Sequence, residues 1–338
     1  MKSIAIIGAG IAGLSAARAL MGRADVNIFE RSETLGGRLE TRASGAYQFD
    51  CGAQYFTAKS KAFKDFIIPY IESGAVAPWR PRMLGAPSLL GLAPDKFVGA
   101  PHMSALAGAM SDGLNLIKDT QITELERIGR LWYLTDQRGD LWGKYDAVIL
   151  AVAPKETRAI LPKKFKQRGA LKRVEMGLSL TLMLGFKGPW AGEWDALMPS
   201  GNGVIGWAAI NSAKPGRAGK NTSIIVQSTS EFARESIGQD KAKTISALAH
   251  QLSEIGGVDS RLAAHKSLHI WGEAKVITPA GHDCLSDPDQ GLYACGDWCI
   301  KARVEAAFIS GQAAAKAALQ PKVKQRIVKT AFMDRPRA

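Results

Sequence analysis

Cysteine is scarce: the chain has four in 338 residues, and the closest pair, Cys295 and Cys299, is spaced CxxxC. That excludes a disulfide framework and leaves neither a CxxC metal knuckle nor a redox pair. The thiols read as reduced, no metal site is expected, and the chain reads as cytoplasmic. Long apolar runs are missing too. The most apolar stretches, 147–152 and 178–186, fall far short of the ~20 residues that a membrane span requires. With 46% hydrophobic and only 22% charged residues, global disorder is excluded, and the length suits about two domains, each with its own core.

Acidic residues are few enough to leave a formal charge of +13, and two segments carry the whole excess. Residues 155–173 hold eight basic side chains against Glu156, and the stretch from Lys316 onward holds seven against Asp334. Neither interleaves its cations with aromatics, so each reads as a solvated face or tail, and nucleic acid is not an expected partner. Composition leaves the oligomeric state open.

Near the N-terminus, Lys2 ahead of an apolar stretch and the small residues Ser15, Ala16 and Ala17 outline a signal peptide, but glycine placement argues for something else. A β-branched run at 4–7 ends at Gly8, followed by Gly10 and Gly13, with Ile11 and Ala12 opening an alanine-rich helical segment. Residues 26–29 give a second strand ending at Glu30. This order suits a dinucleotide: Gly8 for a sharp turn, Gly10 for approach of a pyrophosphate, Gly13 for helix-on-strand packing, Glu30 for a ribose. Gly201, Gly203 and Gly206 repeat the spacing, yet Pro199 and Ser200 precede them and 204–210 reads as strand. A hairpin is expected there, and no second nucleotide fold.

After Glu30 come Arg31 and then Gly36, Gly37 and Arg38, an ExxxxxGGR pattern that resembles the flavin amine oxidase superfamily. Residues 292–295 form a strand into Gly296 and Asp297, and a helix of small residues follows from about 304 to 319, resembling that superfamily's closing flavin motif. Further stretches narrow the likeness to the bacterial renalases: 49–57 (FDCGAQYFT), Pro101 to Ser104, Trp207 with Asn211 and 214–217 (KPGR), His269 to Trp271, 295–299 (CGDWC), and Arg303, Val304 and Glu305. The resemblance spans about residues 1–320.

The resemblance implies an α/β chain with a Rossmann-like FAD-binding domain and a second, sheet-based substrate domain, an architecture like the amine oxidases and p-hydroxybenzoate hydroxylase. Its pieces would be 1–59, 98–158 and 282–320 for FAD, 60–97 and 159–281 for substrate, with a basic tail at 321–338. It implies non-covalent FAD held by Gly8, Gly10, Ile11, Ala12, Gly13, Glu30, Arg31, Gly37, Arg38, Gln54, Tyr55, Gly296, Asp297, Arg303, Val304 and Glu305. The implied reaction oxidises misreduced dihydropyridine isomers of NAD(P)H, with O2 taking the electrons to give H2O2. Tyr55, Trp271 and Trp298 would wall the substrate, His269 would bond its carboxamide, and Asn211, Lys214 and Arg217 would meet its phosphates. Ile210 and Ser212 stand where the family has basic residues, which implies fewer phosphate contacts. Two other functions share parts of this pattern: an amine oxidase or desaturase, and an FAD protein that binds nucleic acid or a membrane surface through its basic segments.

Overall fold

A computed structural model describes residues 1–85, 95–200, 203–217 and 219–320. The basic tail expected at 321–338 and two glycine-motif positions, 201 and 202, lie outside them. The first sheet has six strands in the order Leu285–Asp287, Leu292–Ala294, Ala147–Leu150, Lys2–Ile7, Ala24–Phe29 and Asn115–Ile117. All neighbours are parallel except the outermost pair, Leu285–Asp287 with Leu292–Ala294. Period-two alternation assigns its faces. Ile4 and Ile6 pack under the helices Ile11–Leu20 and Val304–Leu319, while Ala5 and Ile7 pack with Trp132, Leu134 and Tyr145 of an antiparallel three-stranded sheet. The two helices lie so close that a Cβ on Gly311 would sit 2.1 Å from the Ala12 carbonyl oxygen.

The second large sheet runs His265–Thr278, Glu175–Phe186, Thr222–Ser228, Ile205–Ile210, Ala196–Leu197 and Met83–Leu84. The strand Ile205–Ile210 and its hairpin partner Ala196–Leu197 occupy the region where the second glycine motif gives a hairpin. One face buries Leu180, Leu182, Ile224, Val226 and Ile210 against Leu248, Ala249 and Leu252 of the helix Lys241–Gly256. The other face turns Met183 and Ile225 onto Phe49 and Cys51, so it roofs the chain segment that leads to Tyr55. Most of the 60–79 stretch, grouped by its sequence with the second domain, packs on the first. Phe63 and Phe66 of the helix Lys61–Glu72 lie 5.1 and 4.6 Å from Phe308, because that helix is amphipathic and the last helix offers it an apolar face. Among the described residues, no helix is long and apolar enough to cross a membrane.

Candidate active site

The turn after the first strand builds an anion cradle. Gly8 has φ +101°, and a Cβ there would lie 2.7 Å from the Ala151 carbonyl oxygen. At Gly13 the added atom would meet the Gly8 oxygen at 1.9 Å, whereas at Gly10 it would meet nothing within 4 Å. Space is therefore closed where strand and helix pack, and open over the N-terminus of Ile11–Leu20. No acidic residue stands in that helix's first turn, so its free N–H groups keep their positive field. Gly36 and Gly37, both at positive φ, form the facing wall through a bridge between Gly10 and Gly36. The Glu30 carboxylate accepts from the N–H of Ala9 (2.8 Å) and Ser32 (3.0 Å), which fixes it at the strand end with acceptor capacity left for a ribose. The Arg31 side chain is exposed and pairs with Glu156.

Arg38 and Asp297 are brought together in a bidentate pair, with Arg38 also donating to the Ala274 carbonyl (3.2 Å). Glu273 adds its field to Arg38 and accepts from the Lys155 N–H (3.1 Å) at the start of a helix. The strand-GD-helix turn carries Gly296, and Arg303 caps the last helix with Val304 and Glu305 in its first turn. The Glu305 side chain turns to another helix. Its carboxylate accepts from the N–H of Lys59 (3.1 Å) and Ser60 (2.6 Å), capping the helix Lys61–Glu72, so only its backbone faces the helix N-terminus. An open cradle at Gly10, a ribose acceptor and a second helix N-terminus at Val304 fit FAD.

Residues 50–54 are clamped from above by the second sheet. Thr181 (3.1 Å) and Trp271 (2.9 Å) donate to the Cys51 carbonyl, and Gln227 (2.6 Å) and Gln54 (3.1 Å) donate to that of Gly52. Trp271 thus positions the backbone through its indole N–H, with His269 edge-on to it at 4.6 Å. Burial and the field of Arg42 hold His269 below its ordinary 6.5, so it is neutral at pH 7. Trp298 is 1% exposed, packs in the core and donates to the Val152 carbonyl (3.1 Å).

The three residues expected to meet substrate phosphates are all internal. Lys214 donates to Asp50 and to the Gln54 amide oxygen (both 3.1 Å), and Arg217 donates to Asp50 (2.9 Å) and to the Gly99 carbonyl (2.9 Å). Asn211 donates to the Gln48 carbonyl (3.0 Å). Burial pulls the Lys214 ammonium down to about 8 despite its acidic partner. Ile210 is fully buried, and the Ser212 hydroxyl accepts from the Ser223 N–H (3.2 Å). KPGR and its neighbours are a buried brace between the segment at Asp50 and the second sheet.

At the N-terminus of the last helix lies a cavity of about 340 Å³, lined by Tyr55, Phe56, Thr57, Lys59, Ala302, Arg303 and Val304. Burial holds the Tyr55 phenol above its ordinary 10, so it stays protonated. Its ring meets Trp207 at 5.2 Å and Trp79 at 6.2 Å, and the ammonium of Lys96 stands 5.6 Å over it. Trp207 Nε1 is buried and meets no acceptor among the described residues. Trp79, Lys59 and Lys96 belong to no motif in the sequence.

Residues 6–67 match an NAD(P)-binding Rossmann-like domain, and residues 89–319 match the flavin containing amine oxidoreductases. A 1-hydroxycarotenoid 3,4-desaturase from Flavobacterium sp. (strain P99-3) is 45% identical over 58 residues, which is 17% of this chain and only 12% of that relative's length. An Exiguobacterium sp. 255-15 protein assigned as a protoporphyrinogen oxidase superposes with a TM-score of 0.72 at 12% identity, over 94% of this chain and 98% of its own. Wild-type putrescine oxidase bound to putrescine gives 0.69 at 12% identity, over 93% and 98%. Reduced UDP-galactopyranose mutase gives 0.73 at 13%, over 94% of both chains. At such identities the likeness to solved structures concerns the fold alone.

Proposed function

This chain belongs to the flavin containing amine oxidoreductase family, and within it we propose an oxidase that takes hydride from misreduced dihydropyridine isomers of NAD(P)H. Bound FAD supplies the hydride acceptor and the route of two electrons to O2, so that dihydropyridine, O2 and one proton yield NAD(P)+ and H2O2. Gly10, Glu30, Gly37, Arg38, Asp297 and Val304 are the residues that would hold it. The protein's own task is modest, because a dihydropyridine gives up hydride without a base: it must orient the donor and exclude water. Tyr55 would supply an aromatic wall, and neutral His269 a hydrogen bond to the carboxamide.

The observation that carries this reading is the charge of the cavity: Lys59 and Arg303 line it, Lys96 adjoins it over Tyr55, and among the described residues no carboxylate lines it. A protonated amine would be repelled there, whereas a dinucleotide is anionic. The shared fold with putrescine oxidase supports an amine as the second reading, and the short desaturase match supports a desaturation. Anaerobic mixing of the FAD-loaded protein with single dihydropyridine isomers, against putrescine and other amines, separates them by the limiting rate of flavin bleaching. Fast bleaching by one isomer is expected; bleaching only by amines or carbocycles would defeat the proposal.

A further inference from the structure

We infer that Lys59, Lys96 and Arg303 hold the phosphates of the hydride donor, the task that the sequence pattern assigns to Lys214 and Arg217. The inference rests on the dihydropyridine reading and names the contacts that make it selective. Lys59, Arg303 and Tyr55 line the same cavity. Lys96 enters from the neighbouring strand: it lies opposite Thr57, itself a lining residue, in the pairing of Phe56–Thr57 with Lys96–Gly99. Its Nζ stands 5.6 Å from the centre of the Tyr55 ring.

The charge balance points the same way. Among the described residues, none of the three side chains lies within 4 Å of a carboxylate oxygen. The carboxylate beside them, Glu305, is buried and occupied by the N–H groups of Lys59 and Ser60. Three cations against one acid leave two positive charges, the complement of a pyrophosphate. Lys59 and Arg303 are exposed, and Lys96 is half-buried, so all three can reach a ligand at the mouth. Lys214 and Arg217 cannot, because Asp50 and backbone carbonyls enclose them.

The test uses the FAD-loaded protein and its variants Lys59→Gln, Lys96→Gln and Arg303→Gln. NAD+ serves as the phosphate-bearing probe and nicotinamide riboside as the phosphate-free one, both titrated calorimetrically at several salt concentrations, with bound FAD measured in each sample. Each variant should lower the affinity for NAD+ relative to the riboside by about ten-fold, the scale of one charge-assisted hydrogen bond, and should flatten its salt dependence. Lys96→Arg should restore the ratio. No binding of NAD+ to the holoenzyme, equal losses for both probes, or loss of FAD in place of NAD+ would each overturn the assignment. If NAD+ binds through these cations yet no dihydropyridine isomer bleaches the flavin, the phosphate site stands and the proposed reaction falls.

Discussion

Asp50 pairs with two buried cations, Lys214 and Arg217, and its side chain is fully enclosed. Burial by itself would raise its pKa above 3.8, but Lys214, Arg217, the Met103 N–H and the Thr41 hydroxyl together pull it below. A carboxyl held low in the folded state stabilises the protein above its ordinary value, and that stabilisation disappears as pH falls through the depressed one. Stability should therefore decline as pH falls below 3.8, seen as a steeper acid loss of the denaturation midpoint in the wild type than in Asp50→Asn. Asp50→Asn should cost about 3–5 kcal/mol in chemical denaturation, because it strands two buried cations. Lys214→Met should cost less, since it leaves a neutral Asp50 and Arg217 pair. Cys299 is a second test at this scale: burial pushes its thiol up to about 12, so it offers no thiolate for a flavin link. Acid precipitation should release all the FAD into the supernatant.

Two glycines in one turn should fail in different ways. Gly10 caps the helix Ile11–Leu20 at φ −76°, a backbone that any residue adopts, and its side-chain space is open. Gly10→Val should keep the wild-type circular dichroism and lose bound FAD, because the added atoms fill the approach to the helix N-terminus. Gly13→Ala places a methyl 1.9 Å from the Gly8 oxygen, and overpacking of that kind costs about 1–3 kcal/mol. Its signature is a lower Tm in protein stripped of flavin, where Gly10→Val should show no drop.

Across the whole molecule, the positive charge is less free than its count suggests. In the segment 155–173, Arg158 donates to the carbonyls of Leu171 (3.2 Å) and Val174 (2.7 Å), Arg168 donates to that of Leu161 (2.7 Å), and Lys166 pairs with Asp289 (2.5 Å). The two arginines tie the short helices Pro154–Ile160 and Arg168–Lys172 to one another, and Lys166 joins the turn before Leu292–Ala294, which weakens the case for nucleic acid. At the other end, Lys2 Nζ donates to the carbonyls of Ala318 and Gln320, both at 2.9 Å. Truncation after Gln320 keeps both bonds and the whole last helix. Flavin content and turnover should survive it, as absorbance at the flavin band and oxygen uptake would report.

Local order was legible because it is written in short periods. The alternation around Ile4 and Ile6, the spacing of Gly8, Gly10 and Gly13, and the helical stripe of Leu248, Ala249 and Leu252 each depend on neighbours within a turn or a strand. These determine the cradle and most of the cofactor path. Which cations meet a ligand was decided elsewhere. Lys214 pairs with Asp50 across 164 residues of chain, and Lys96 reaches Tyr55 only because two short strands pair. A lysine in sequence carries a charge but no partner; packing supplies the partner, and burial beside a carboxylate turns a candidate phosphate ligand into a brace. Among the described residues, the same packing places no carboxylate within 4 Å of Lys59, Lys96 or Arg303, which is the physical ground for the anion site proposed there.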